Sequence, residues 1–471
     1  MRYDLDSLES FIEEYTRLKE VPGISVFVTG PEGLIYKKSL GFCDVYKTKP
    51  VNEETIFGIA SMSKSVTCTC LSILESEGKL SFMDPASKYL PELKIPGTPR
   101  EALLIHHLAN MTSGLPPLPI LTISVATHTK LGGWIGEEGA KLVQQLKPNS
   151  YGTIDEIVEY ITDSEAFVPL GAPGEYVSYS NDSYALLSSI VDAASGSTLE
   201  RFAYERIFEP LGMPRTTFDI SEAKAMGNIT SLFTKTKDEL FCTDDWPTAP
   251  AYRGCGWLKS TSEDMCKYYE MLACDGVYRG RRILPEGAVT RMIGRAFPET
   301  AENFYCYGLN KRVFRDVVIC EHSGGLIGIS SKGGFFKDKG FATAILMNVD
   351  EVDANPLMRA VCNTLLGLPL ETSHMPYGPA GFAPSQPAVY KGTYSTNEFF
   401  PVKKVTVYLG DDGELRAKIA DDEFELLFCD TTRFIASDGK KPLEQCTLLR
   451  FLVRDDKAWA VNDGGRMLLR E

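Results

Sequence analysis

Apolar positions along the chain repeat in two rhythms, and the alternation between them lays out its elements. Leu5, Leu8, Phe11, Ile12, Tyr15 and Leu18 recur three and four apart, the stripe of a helix over 5–19 that Pro22-Gly23 ends. Ile24-Ser25-Val26-Phe27-Val28 and Leu34-Ile35-Tyr36 flank Gly30-Pro31-Glu32-Gly33 and predict a β-hairpin. Phe57-Gly58-Ile59-Ala60 reads as the end of an extended segment that passes into a helix reaching about Glu77. Further helices are predicted at 102–112, 154–162, 182–206 and 262–275. Ser262 is the expected N-cap of the last, with Glu263 and Asp264 in its first turn. From 311 the period returns to strands, at 317–320, 327–336 and 341–348, before a helix at about 354–366.

Two stretches break these rhythms. Residues 115–150 place Leu115, Leu118, Ile120, Leu121, Trp134 and Ile135 among prolines and glycines. Such a segment is either a lid or binding loop or an ordinary packed excursion. Residues 369–387 hold Pro369, Pro376, Pro379, Pro384 and Pro387 and read as a linker. Beyond it strand patterns dominate. Val405–Leu409 and Leu415–Ile419 flank Gly410-Asp411-Asp412-Gly413, and Leu448–Val453 and Ala458–Val461 flank Arg454-Asp455-Asp456-Lys457. The tail is expected to be a small antiparallel, barrel-like β domain.

Composition narrows the classes of partner. With 471 residues, 44% hydrophobic and 24% charged, the chain is an ordinary globular protein. Its net charge of −14 argues against nucleic acid, whose phosphates need a basic face. No run of about 18 apolar residues predicts a membrane span. The acidic start, Met1-Arg2-Tyr3-Asp4-Leu5-Asp6, does not read as a signal peptide. Twelve cysteines are scattered without Cys-x-x-Cys spacing, and many sit in apolar runs. They are expected to be free, buried thiols in a reducing, cytoplasmic compartment, with no metal and no cofactor.

Candidate chemistry centres on Ser61-Met62-Ser63-Lys64. Residues three apart share a helix face, so a Ser in the first turn and a Lys one turn on point into one space. An amine beside a hydroxyl eases loss of its proton, and a helix N-terminus adds free N–H groups. Ser-x-x-Lys recurs at Ser76, Ser221 and Ser437, but only the Ser61 match sits at an extended-to-helix junction. Two later segments complete it: Tyr179-Ser180-Asn181 before a helix, and His322-Ser323-Gly324-Gly325 after a strand. No Gly-x-Ser-x-Gly occurs, which disfavours an α/β-hydrolase triad. His106, His107, His128 and His374 lack metal-ligand spacing and are read as structural.

Ser-x-x-Lys, Tyr-x-Asn and His-x-Gly in this order resemble the serine β-lactamase and penicillin-binding-protein superfamily, in its class C-like branch. That branch includes D-amino-acid peptidases, esterases and polyketide acyltransferases of secondary metabolism. The stretches His107–Leu115, Pro173–Asn181 and Ile207–Met213 are similar to it as well, and the resemblance covers roughly residues 8–368. It implies an α/β (α+β) fold: an antiparallel sheet flanked by helices, with a mainly helical lobe and a cleft between them. The expected catalytic domain is 1–370, with its α/β part at about 1–110 and 290–370 and its helical part at about 111–289. A linker at 371–387 and a lipocalin-like β domain at 388–471 follow.

The resemblance also implies roles. Ser61 is the nucleophile, Lys64 and Tyr179 share the base work, and the N–H groups of Ser61 and Gly325 form an oxyanion hole on an edge strand. Asn181, His322, Ser323 and Gly324 bind substrate. His322 stands where many relatives carry the lysine of Lys-Thr-Gly. With an ordinary pKa near 6.5 it is expected to set the acidic limb of activity. Loss of a permanent cation there, together with the apolar 115–135 segment, Trp246, Tyr252 and Trp257, points to an ester of a small apolar metabolite. The same aromatics read equally as core. The expected function is therefore a serine hydrolase or acyltransferase working through acyl-Ser61. An amidase, D-amino-acid peptidase or β-lactamase is the alternative, and a non-catalytic assembly-forming homologue is the alternative of another class. The sequence does not set the oligomeric state.

Overall fold

Eight strands build an antiparallel sheet: β1 (Gly23–Gly30), β2 (Gly33–Gly41), β3 (Phe297–Pro298), β4 (Asn303–Tyr305), β5 (Asn310–Phe314), β6 (Val317–Leu326), β7 (Ile329–Phe336) and β8 (Phe341–Met347). Their spatial order is β2-β1-β8-β7-β6-β5-β4-β3. The computed structural model describes residues 3–129, 141, 144, 149–163, 165–235, 240–298, 303–399 and 402–471. They divide into two units, one of Met1–Pro91, Leu104–Asn110 and Ser183–Thr372, the other of Glu92–Leu103, Met111–Asp182 and Ser373–Glu471.

The sheet belongs to the first unit. Every residue of β1 and of β7 is buried, because helices cover both faces. On one face lie α1 (Leu5–Leu18) and a later helix, Asn355–Leu366. Leu8, Ile12 and Tyr15 meet Leu357, Val361 and Leu365 there, over Val26, Ile345 and Met347 of the sheet. On the other face the helix Ser262–Ala273 packs on β1, where Ser262 and Ser25 share a 2.7 Å hydroxyl pair and the Cys266 thiol donates to the Phe27 carbonyl. The N-cap of this helix is Thr261, whose hydroxyl accepts from Asp264 N–H; Ser262 is already inside it. The helix expected at 182–206 is broken. Asn181–Ser195 ends before Gly196 at φ +72°, and Thr198 caps a new helix, Leu199–Ala203.

The second unit holds a closed eight-stranded barrel: β9 (Gly392–Thr396), β10 (Lys403–Leu409), β11 (Leu415–Ile419), β12 (Asp422–Asp430), β13 (Arg433–Ser437), β14 (Thr447–Arg454), β15 (Lys457–Asp463) and β16 (Arg466–Arg470). Each strand pairs with the next, and β9 closes on β16. Tyr390, Tyr394, Phe434 and Phe451 interlock in its interior with Val405, Leu449 and Leu468, so side chains fill it. The helices Ile120–His128 and Ile154–Thr162 belong to this unit. Part of the 115–150 stretch is thus helical and not a loop, while Trp134 and Ile135 lie outside the described residues. Residues 111–182 group with the barrel and 183–372 with the sheet, so the 111–289 lobe drawn from the sequence is shared between both units.

Among the described residues no helix is long and apolar enough to cross a membrane, and no group of His, Cys, Asp and Glu converges as a metal site. The twelve cysteines are free thiols, eight of them buried; Cys274 is exposed.

Candidate active site

The Ser61 turn is held from three sides within the first unit. Phe57–Gly58 pairs with Lys259–Ser260, and Ile59 N–H donates to the Leu258 carbonyl. The Ser331 hydroxyl of β7 donates to the Ile59 carbonyl at 2.9 Å. The chain then turns through Ala60 at φ +45°, a strained conformation for a residue with a side chain, into a 3₁₀ turn at Ala60–Met62. α2 (Ser63–Ser76) follows directly. Ser61 thus lies in the tight turn that leads into the helix, two residues before α2 begins. Residues 63–74 of α2 are all buried, which identifies it as a central helix.

Lys64 is fully buried. Its Nζ donates to Ser61 Oγ at 3.0 Å and to the Cys255 carbonyl at 2.7 Å, and lies 5.5 Å from the centre of the Tyr184 ring. The Cys255 carbonyl thus holds the Lys64 amine against the Ser61 hydroxyl. Trp246 packs with Ala60, Leu232 and Ile329 behind the turn, and Tyr252 is fully buried, so these aromatics form core beside the nucleophile.

β6 supplies the His322–Gly325 stretch. It lies fifth in the sheet, not at the edge, but its pairing with β5 ends at Asn310↔Glu321. Past that point its bonds run to β7, and the remaining residues form a local edge. A side chain at Gly324 would meet the Ile59 carbonyl at 2.2 Å and Ser331 Oγ at 2.3 Å, so glycine is what lets β6 lie against the nucleophile turn. Gly325 is exposed.

His322 is buried, and its Nδ1 is 2.6 Å from the Ser323 carbonyl. A carbonyl only accepts, so Nδ1 carries the proton and Nε2 accepts from the Tyr305 hydroxyl at 3.3 Å. Burial first, then the charge of Lys64, push its pKa down to about 3. The imidazole is neutral at working pH, and the expectation that it titrates near 6.5 and sets the acidic limb is corrected. Ser323 is exposed and its hydroxyl accepts from Lys332. Lys332 and Arg312 flank Glu321; burial alone would raise that carboxyl, but the two cations hold it down at about 2.

Tyr179 and Asn181 belong to the second unit. Ser178 N–H donates to the Met111 carbonyl, and Tyr179 N–H to the Gly465 carbonyl at 2.7 Å. The Arg466 guanidinium lies 4.7 Å from the centre of the Tyr179 ring. The Asn181 amide donates to Glu398 at 3.3 Å, and Glu398 is ion-paired with Arg466 at 2.5 Å. Reasoning from the sequence missed Glu398 and Arg466. Nothing local in the sequence marks either residue as a partner of a segment more than 200 positions away. The other histidines are structural: His106 pairs with the Tyr307 hydroxyl, the His107 ring accepts from Leu104 N–H, and His128 donates to the Ser124 carbonyl.

A strained serine turn, a buried lysine bonded to the serine and a glycine-rich sheet segment against it thus come together within the first unit. The chain belongs to the beta-lactamase family, whose profile matches residues 8–361. It is 27% identical over 213 residues to the D-aminopeptidase of Brucella anthropi and 26% identical over 252 residues to penicillin-binding protein 4* of Bacillus subtilis. These alignments take in 45% and 51% of the chain. They span 36% and 50% of the relatives' own lengths. The fold matches that of the octameric penicillin-binding protein homologue from Pyrococcus abyssi, with a TM-score of 0.69 at 23% identity over 99% of this chain and 100% of that one.

Proposed function

We propose that the protein is a serine esterase or acyltransferase that forms an acyl-Ser61 intermediate with an ester of a small, apolar metabolite. The observation that carries the reading is the 3.0 Å bond from buried Lys64 to Ser61 Oγ. Ser61 Oγ attacks the acyl carbon, and its proton passes to the Lys64–Tyr179 base. The oxyanion is held by the N–H groups of Ser61 and Gly325. As the tetrahedral species collapses, the ester oxygen takes the proton and leaves as the alcohol. Water or an acceptor alcohol or amine, deprotonated by the same base, then releases the acyl group. Asn181, Ser323 and Gly324 contact the substrate. His322 serves as a neutral wall of the site, which supports an uncharged ester over a carboxylate-bearing β-lactam. The cytoplasm is the proposed location, in keeping with twelve free thiols.

The second reading is a D-amino-acid amidase or peptidase, favoured by the likeness to the D-aminopeptidase. Intact-mass and peptide analysis after incubation with p-nitrophenyl esters, D-phenylalanine amide and benzylpenicillin separates the two. Ester acylation at Ser61 with no turnover of the amide is the expected result. Turnover of the D-amide with slow or no esterolysis selects the second reading, and labelling confined to other residues refutes both.

A further inference from the structure

The Arg466–Glu398 pair has no counterpart in the motifs that define the site, yet both residues sit on the two motif residues of the second unit. Arg466 opens β16 after Gly464-Gly465, both at positive φ, and Glu398 follows β9. The guanidinium lies between two rings, 4.7 Å from the centre of Tyr179 and 5.1 Å from that of Phe399. Glu398 is 4% exposed, and its two oxygens are divided between Arg466 and the Asn181 amide. The Thr122 hydroxyl ties down the Glu398 carbonyl at 2.7 Å. On the same hairpin Asn462 donates to the Val177 carbonyl, and Arg454, at the end of β14, donates to the Tyr176 hydroxyl. The barrel therefore holds the whole Tyr176–Asn181 segment, backbone and side chains alike.

Burying Glu398 against a half-buried Arg466 is costly in desolvation and gains little stability over apolar packing, so its placement here calls for another reason. A cation over the face of a phenol is attracted by the ring and more strongly by a phenolate. Because Glu398 already neutralises Arg466, the pair is ill suited to capturing a substrate carboxylate. We propose that Arg466 and Glu398 are positioning residues for the Ser61 reaction. Arg466, over the face of the ring, orients Tyr179, and Glu398 fixes Arg466 and Asn181 in register with it. The C-terminal barrel is on this view part of the catalytic apparatus. The inference rests on the acyl-Ser61 reading. The other charges of this unit near the pair are Asp463, which is bound to Lys403 at 2.7 Å, and buried Asp182.

The test uses the full-length protein, p-nitrophenyl acetate as probe, and the variants Arg466→Gln, Arg466→Lys and Glu398→Gln, each checked by thermal unfolding. Arg466→Gln is expected to lower kcat about 10- to 100-fold with little change in KM, and to move the acid limb of kcat/KM to higher pH. Arg466→Lys retains charge and recovers part of the rate. Glu398→Gln has one acceptor oxygen where the carboxylate uses two, so it keeps only one of the bonds to Arg466 and Asn181 and leaves Arg466 unbalanced, which moves the acid limb to lower pH. Opposite shifts from the two Gln variants are a signature that loosened structure does not produce. Shifts in the same direction, or unchanged profiles with losses that follow the melting temperature, overturn the proposal. So does an effect confined to KM for carboxylate-bearing esters, which makes Arg466 a substrate anchor. Absence of Ser61 acylation in the unsubstituted protein refutes the underlying reading itself, whereas acylation with unshifted variants refutes this inference alone.

Discussion

Replacing Ser61 with alanine removes one partly exposed hydroxyl from a turn whose backbone is held by Ser331 and Leu258. Stability should fall by about 1 kcal/mol at most, since no cavity is made and Lys64 Nζ, which loses Ser61 Oγ as an acceptor, keeps the Cys255 carbonyl. Acylation should vanish; a Ser61→Ala protein that keeps more than a few per cent of the esterase rate excludes the mechanism. His322 makes a prediction about acid. Its folded pKa of about 3 lies below the roughly 6.5 of an unfolded histidine. Protons therefore bind the unfolded chain first, so its contribution to stability is complete above about pH 6.5 and is lost as pH falls toward 3. His106 acts in the same sense: burial, then His107 and Arg295, bring it down to about 4. Urea unfolding between pH 7.5 and 5 should show His322→Gln losing less stability than the unsubstituted protein, by on the order of 1 kcal/mol per pH unit. The acid limb of activity should stay in place in that variant, and a displaced limb would show that the imidazole titrates after all. Ser61 and Lys64 were legible because their chemistry sits within one turn of chain. The protonation of His322 was not, because it depends on Lys64, 258 residues away, and on burial.

Among the elements, β6 packs closely against the Ser61 turn. Gly324→Ala would drive a methyl group into the Ile59 carbonyl and Ser331 Oγ, both fixed by their mutual hydrogen bond. We expect a destabilisation of about 1–3 kcal/mol and a loss of acylation rate disproportionate to it, because the displaced strand carries the Gly325 N–H. Comparing the urea midpoint with the pre-steady-state acylation rate tests this, and a stable variant with an unchanged rate contradicts it. Thr261→Ala removes the cap of the Ser262–Ala273 helix and should cost about 1 kcal/mol, whereas Ser262→Ala leaves the cap intact. Strands and most helices were legible from period alone. The missed boundaries share a cause: at Thr261-Ser262 two good capping residues adjoin, and at Ser195–Thr198 an apolar rhythm runs on across a glycine that stops the helix. The reach of β6 past β5 is a matter of register, which no local pattern encodes.

At the scale of the whole molecule, the division into units follows contacts that the linear chain conceals. The sequence shows a proline-rich break at 369–387 and strands after it, and the closed barrel bears out that part of the expected fold. It gives no sign that 111–182 packs with the barrel, since the bonds responsible, Tyr179 to Gly465 and Asn181 to Glu398, join residues more than 200 apart. This grouping predicts which parts of the protein open together. Phe451 sits at the centre of the barrel, with its ring 5.1, 5.5 and 5.6 Å from those of Tyr390, Phe434 and Tyr394. Phe451→Ala should cost about 3–5 kcal/mol through the cavity it leaves. Hydrogen exchange followed by mass spectrometry should then quicken across β9–β16 and also across residues 177–181, where Tyr179 N–H is bonded to the Gly465 carbonyl and the Val177 carbonyl to Asn462. α2 and β1, in the other unit, should keep their protection. Were the barrel strands alone to respond, the Tyr179 segment would be a lodger on the barrel's surface and not part of its cooperative unit. Were exchange to rise equally in α2 and β1, the chain would unfold as one body. The predicted pattern, barrel and Tyr179 segment together with the Ser61 helix unaffected, is the one in which a distant core mutation loosens the proposed catalytic tyrosine while leaving Ser61 and Lys64 in place.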